Sequence, residues 1–282
     1  MTNSEPVSSD GMTVGRVALR VNDLDRTSEF YETVVGLELQ RKTGDHAILG
    51  AGGEQLLELA EDVDAPKRKQ NETGLFHTAF LVPSRSALGD TLVRIESEWE
   101  LSGASDHRVS EALYLSDPEG NGVEVYCDRQ REAWPTDDNG RVRMETLPLD
   151  TDDLRRERSG AKTVPAGTVV GHVHLEVSSI PSAREFYADT VGLTVRQEYG
   201  PSALFLAAAD YHHHIGLNVW NHRTEPAKGC GLEWFELLVP NRDVLGAIRE
   251  RLAARDITTN RIDRGFEVSD PDGISIHLLT DE

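Results

Sequence analysis

The chain has 282 residues and a formal net charge of −20 at pH 7, which argues against nucleic acid as a partner. No apolar run approaches the ~20 residues of a membrane-spanning helix, and the polar segment Met1 to Asp10 lacks a signal pattern. A cytoplasmic chain with no membrane association is therefore expected.

Acidic residues are scattered, as in Glu96, Glu98, Glu100 and Asp150 to Asp153, and lysines number five against 24 arginines. The pattern reads either as an ordinary solvated surface or as adaptation to high salt, where carboxylates stay hydrated and repulsion is screened. The high-salt reading is favoured. Cys127 and Cys230 lie far apart and form no metal-type pair, a cysteine usage typical of reduced compartments.

Residues 1–12 read as a polar tail. The first strand-like segment follows, Gly15-Arg16-Val17-Ala18-Leu19-Arg20-Val21, then a helix with Phe30-Tyr31 and Val35-Gly36-Leu37. A second segment, Gly74-Leu75-Phe76-His77 to Val82-Pro83, precedes a stretch with Leu88, Leu92, Val93 and Ile95 at helical spacing. Ser116-Asp117-Pro118-Glu119-Gly120 then marks a tight turn inside a hairpin. Residues 130–167, rich in charge, proline and glycine, read as a linker with one helical turn.

After the linker the pattern repeats. Gly171-His172-Val173-His174-Leu175-Glu176-Val177 answers the first strand, and Phe186-Tyr187 and Val191-Gly192-Leu193 answer the first helix, at a constant offset of 156 residues. Gly231-Leu232-Glu233-Trp234 to Val239-Pro240 answers the second strand. Val244, Leu245, Ile248 and Leu252 answer the second helix, and Ser269 to Gly273 the turn. The chain therefore divides into four modules, near 13–61, 74–129, 168–222 and 230–281. They form an N-terminal half (13–129) and a C-terminal half (168–282). The predicted fold is α+β: four βαβββ modules in two tandem halves, arising by duplication.

With these motifs the chain resembles the vicinal oxygen chelate superfamily, which includes glyoxalase I, extradiol ring-cleavage dioxygenases and bleomycin-resistance proteins. The segments Ser110 to Pro118 and Tyr211-His212-His213-His214-Ile215-Gly216-Leu217-Asn218 are most similar to CatE-type catechol 2,3-dioxygenases. The resemblance implies modules paired into curved mixed sheets.

It also implies a metal-ligand position five residues before a strand valine in each module, and another on each last strand. The first-strand positions are Arg16, His77, His172 and Trp234; the last-strand positions are Glu58, Glu124, Gly216 and His277. Arg16 and Trp234 are not imidazole ligands, so modules one and four read as a filled, inactive pocket. His77, Glu124 and His172 supply two imidazoles and a carboxylate, the set that suits Fe(II) and leaves coordination positions open; Mn(II) or another divalent metal is the alternative. Gly216 has no side chain for the fourth ligand that a glyoxalase needs. Singly, each of these residues has a plainer reading, as a core histidine or a buried hydrogen-bonded carboxylate; together they point to a metal. His174 shares the strand face of His172 and is a secondary candidate, as pocket neighbour or ligand.

The resemblance further implies a tyrosine just outside the metal ligands at Tyr114, an acid–base histidine at His213 and a substrate-binding histidine at His107. A regular strand would instead turn His214 to the face of Gly216, so His214 remains a candidate for the role of His213. Ligands from modules two and three require those modules to face each other, with the halves interlocked.

The expected activity is extradiol cleavage of a catechol-like aromatic diol, with dioxygen as second substrate; a homo-oligomer is allowed. The alternatives are another metalloenzyme of the superfamily, an isomerase or thiol transferase, and a metal-free protein that binds a small aromatic molecule.

Overall fold

The structure, a computed structural model, describes residues 11–138 and 141–280. The expected tail lies outside the described residues as far as position 10, whereas Met12 is buried in the core. No helix among the described residues is long and apolar enough to cross a membrane.

Each module is a strand, a helix and three strands. Module one comprises β1 (Thr13–Val21), α1 (Leu24–Phe30), β2 (Glu38–Thr43), β3 (His46–Ala51) and β4 (Glu54–Glu61). Module two comprises β5 (Gly74–Leu81), α2 (Arg85–Glu98), β6 (Gly103–Asp106), β7 (Ser110–Ser116) and β8 (Gly122–Asp128). Between the halves lie β9 (Leu147–Pro148) and α3 (Thr151–Arg156). Module three comprises β10 (Val169–Glu176), α4 (Ile180–Arg184), β11 (Thr194–Tyr199), β12 (Ala203–Ala207) and β13 (Ile215–Asn218). Module four comprises β14 (Gly231–Leu238), α5 (Arg242–Ala253), β15 (Asn260–Ile262), β16 (Gly265–Ser269) and β17 (Ser275–Leu279).

The helices begin where a short polar side chain can accept an otherwise orphaned backbone N–H. Asp23, Ser84, Asp150, Ser179 and Asn241 each do so. The helical segments after α1 and α4 end in wide turns, with Gly36 N–H donating to Tyr31 C=O at 3.0 Å and Gly192 N–H to Tyr187 C=O at 3.2 Å. Both glycines take the left-handed conformation, at φ 90° and 103°, which a side chain would disfavour.

The repeated Phe-Tyr and Ser-Asp-Pro motifs meet in space. The buried Tyr31 hydroxyl donates to Asp117 Oδ2 at 3.2 Å, and that of Tyr187 to Asp270 Oδ2 at 3.0 Å. Asp117 also accepts the N–H groups of Glu119 and Asn121, and Asp270 those of Asp272 and Ile274. Each aspartate thus shapes its own hairpin turn and ties it to the helix of the preceding module.

The modules pair across the halves. One sheet runs β15-β16-β17-β14-β1-β4-β3-β2 and holds modules four and one; the other runs β11-β12-β13-β10-β5-β8-β7-β6-β9 and holds modules three and two. At the centre of each, first strands from the two halves pair antiparallel, β1 with β14 and β5 with β10. This is the interlocked arrangement that the ligand positions require. The first and last strands of each module run parallel.

Described parts of the segment expected as a linker are packed. Leu154 of α3 is buried in the main core, and β9 pairs with β6. Trp134, Val142 and Met144 form a second apolar cluster with Val109, Ala203, Phe205, Ala207 and Tyr211. Its few apolar residues have no periodicity, so only the tertiary partners reveal the packing.

Candidate metal centre

The four module registers coincide at the expected positions. In each, the residue two beyond the first-strand position pairs with the last-strand position: Ala18 with Glu58, Ala79 with Glu124, His174 with Gly216, and Glu236 with His277. Side chains two apart on a strand share a face. Each set therefore projects from one side of its sheet.

In the sheet of modules one and four the set is closed on itself. Arg16 pairs with Glu236 at 2.8 Å and with Glu58 at 3.4 Å. Its guanidinium lies 5.5 Å from the Trp234 ring centre, and Trp234 stacks on His277 at 4.4 Å and 17°. A guanidinium stands where the other sheet would take a cation.

In the sheet of modules two and three, β5 carries His77, its neighbour β10 carries His172, and β8 carries Glu124. All three are buried. His77 Nε2 lies 2.9 Å and His172 Nε2 3.1 Å from Glu124 Oε2, and the two nitrogens are 3.3 Å apart. Metal–ligand bonds of ~2.1 Å at right angles would put neighbouring ligand atoms ~3.0 Å apart. The triangle thus has the edges of one octahedral face and could hold a metal ion.

The charge state agrees. Burial drives the His172 pKa down to about 4 against the pull of Glu124, so its imidazole is neutral at pH 7. Burial would raise Glu124, but the adjoining His172 and His77 outweigh it and hold the carboxyl well below the usual range. A buried ionised carboxylate is costly, and a divalent cation would compensate it.

The triad borders a cavity of about 540 Å³ that opens to solvent. Tyr114 lies directly across from Glu124 in the β7–β8 ladder and lines the cavity. Burial, then the Glu124 charge, raises its pKa well above 10, so it is a neutral phenol. His107 also lines the cavity. Its Nδ1 lies 2.6 Å from the Glu145 carbonyl oxygen and its Nε2 2.7 Å from the Tyr114 hydroxyl. A carbonyl only accepts, so His107 donates from Nδ1 and accepts the Tyr114 O–H at Nε2.

The triple histidine precedes β13 and is not regular strand, so simple alternation does not govern it. His213 lines the cavity, with its ring centre 4.1 Å from that of His172. His214 faces a separate cavity on the other side, where its Nδ1 accepts Ala208 N–H at 3.1 Å. The structure therefore brings His213, and not His214, to the triad.

His174 is on the triad's face but outside the converging group. Its Nε2 accepts from the Asn218 amide at 3.1 Å, and burial lowers its pKa well below 6.5. A Cβ at Gly216 would come within 2.9 Å of the His174 ring. The fourth-ligand position is filled by an imidazole that is itself engaged elsewhere.

Sequence reasoning did not single out the partners of His213. Its Nδ1 lies 2.8 Å from Nδ1 of His212, whose Nε2 lies 3.0 Å from Asp128 Oδ1. The carboxylate fixes the tautomer: His212 donates from Nε2 and accepts at Nδ1, so His213 donates from Nδ1 and keeps a lone pair on Nε2. Burial, with the neighbouring histidines adding to it, holds the His213 pKa well below 6.5. The sequence held one faint signal, an aspartate closing the strand that bears Glu124.

Comparisons with known proteins identify the family. The family model described as Glyoxalase/Bleomycin resistance protein/Dioxygenase superfamily matches residues 13–125 and 169–278. The chain is 38% identical over 268 residues to a catechol-2,3-dioxygenase of Bacillus subtilis, covering 92% of this chain and 93% of that one. Two solved structures resemble it in fold. A putative dioxygenase from Bacillus subtilis has a TM-score of 0.68 at 15% identity, over 97% of this chain and 86% of that one. Glyoxalase I from Zea mays has a TM-score of 0.61 at 18% identity, over 96% and 93%.

Proposed function

The chain belongs to the Glyoxalase/Bleomycin resistance protein/Dioxygenase superfamily, and from that premise we propose that it is an Fe(II)-dependent extradiol dioxygenase of catechol-like aromatic diols. The observation that carries the proposal is the triangle of His77, His172 and Glu124 beside His213 in an open cavity. The name of the Bacillus subtilis relative supports the same chemistry. Gly216, closed off by His174, leaves an isomerase of the glyoxalase type without a fourth protein ligand.

His77, His172 and Glu124 would hold the metal. When bound, a ferrous ion supplies open coordination positions and redox chemistry at the triad. The chain's own residues handle orientation and protons. His213 Nε2 accepts a proton from a diol hydroxyl, and the resulting imidazolium is supported through Nδ1–H by His212 and, beyond it, Asp128. Returning that proton later needs no rearrangement of the pair. Tyr114 commits its O–H to His107 and so presents an oxygen lone pair to the second diol hydroxyl. The Glu145 carbonyl fixes the His107 ring.

The test is an aerobic assay of protein loaded with Fe(II) under anaerobic conditions. Catechol should give a yellow ring-opened product with equimolar uptake of dioxygen. A fully iron-loaded protein that consumes no dioxygen with any simple catechol would refute the proposal.

A further inference from the structure

The cavity beside the triad is larger than a bare diol needs. A closed space of ~150 Å³ is enough for one benzene ring, and this one offers about 540 Å³. The excess is bounded by aromatic groups in contact. Trp220 meets Phe76 and His174, each at 5.3 Å between ring centres; His174 meets Phe205 at 5.6 Å, and Phe205 meets Tyr199 at 5.6 Å. Two of these rings are part-exposed, Trp220 at 45% and Tyr199 at 41%, so they stand at the rim. The wall reaches the triad where His77 meets Phe76 at 5.3 Å and His174 at 4.9 Å.

The charge of the lining is equally informative. Among the described residues no lysine or arginine lines this cavity, and its only acidic side chain is Glu124. Arg68 and Arg223 line an adjoining depression that shares Phe76, His77 and Tyr114. Both close on the buried Glu176, at 2.6 and 2.8 Å, and the Arg68 guanidinium also donates to the carbonyls of Glu72 and Leu75. A carboxylate on the substrate's substituent would thus enter an aromatic space with no lysine or arginine to receive it, which is costly.

We infer that the site takes an uncharged catechol bearing a bulky apolar substituent, of the size of a second aromatic ring, seated on the Trp220–Phe76–Phe205 wall, and that it rejects carboxylated catechols. This rests on the dioxygenase reading for the orientation of the diol at the triad. The ligand class itself follows from the wall and the absence of cations. Aromatic side chains favour offset or edge-on contacts with a further ring, which an added phenyl group supplies and a carboxylate does not.

The test uses the full chain loaded with Fe(II). Anaerobic calorimetric titration compares catechol, a phenyl-substituted catechol and 3,4-dihydroxybenzoate, and dioxygen uptake is then measured with each. The phenyl-substituted diol should bind about tenfold or more tightly than catechol, and the carboxylated one at least about 100-fold more weakly than the phenyl-substituted one. Trp220→Ala should shrink the phenyl advantage severalfold. Carboxylated diol binding as tightly as the phenyl-substituted one, or a phenyl advantage undiminished by Trp220→Ala, would overturn the inference. Binding in the expected order without dioxygen uptake would sink the dioxygenase reading and leave the ligand class standing. Ring cleavage with the opposite order would do the reverse.

Discussion

His213 differs from its two neighbours through hydrogen bonding and not through residue type. Each of the three histidines is buried, yet only His213 both lines the cavity beside the triad and is backed by the His212–Asp128 pair. Replacing it with glutamine should lower kcat by about 10²–10⁴-fold, the usual worth of a positioned acid–base group, while iron content stays at the wild-type level. Loss of iron together with activity would make it a ligand instead. His214 carries a different prediction. Burial, with nearby positive charge adding to it, pushes its pKa down to about 3, below the ~6.5 of an unfolded histidine. The folded state therefore binds fewer protons between those values. Its contribution is complete above pH ~6.5 and is lost as pH falls towards 3. By pH 4.5 the loss approaches ~2–3 kcal/mol. His214→Asn, which can keep an acceptor for Ala208 N–H, should flatten that part of the curve in urea unfolding at pH 7 and 4.5. An unchanged acid loss in the variant would contradict the assignment.

Among the elements, the repeated motifs are links between modules. Phe-Tyr and Ser-Asp-Pro lie 86 and 83 residues apart in the two halves, yet each tyrosine meets an aspartate through a buried hydrogen bond. Burial raises the Asp270 pKa to about 7, so this contact also has to hold a reluctant carboxylate. Tyr187→Phe should lower the unfolding free energy by about 1–3 kcal/mol, and Tyr31→Phe by a similar amount. The two sites lie in different halves, so the double variant should be close to additive in denaturant midpoints. No shift in either single variant would show that the link is dispensable. These elements were legible because duplication printed them twice, down to the cap glycines Gly36 and Gly192. The segment from Arg129 to Gly167 had no second copy. Gln197 nonetheless pins Met144 through both backbone groups, at 2.7 and 3.0 Å, and the Tyr199 hydroxyl donates to the same carbonyl. Met144 and Thr146 of this segment line the cavity. A contact made by one residue, Met144, to two partners more than fifty positions away leaves no local pattern in the sequence.

Across the whole molecule, pairing of modules between halves determines where chemistry can occur. Each sheet joins one module from each half, so one duplicated face survives as a candidate metal centre while its counterpart is closed by Arg16, Trp234 and their partners. The contrast of Arg16 with His172, and of Trp234 with His77, was readable from the repeat. The Asp128–His212 pair and the aromatic wall were not, because Asp128 and His212 stand 84 residues apart and single aromatics on apolar strands look like core. The most direct measurement is an anomalous difference map, at the iron edge, from crystals of the Fe(II)-loaded chain. One peak should lie ~2.1 Å from His77 Nε2, His172 Nε2 and a Glu124 carboxylate oxygen. A fully loaded crystal with no peak there, or with its peak beside Arg16 and Glu58, would contradict the account.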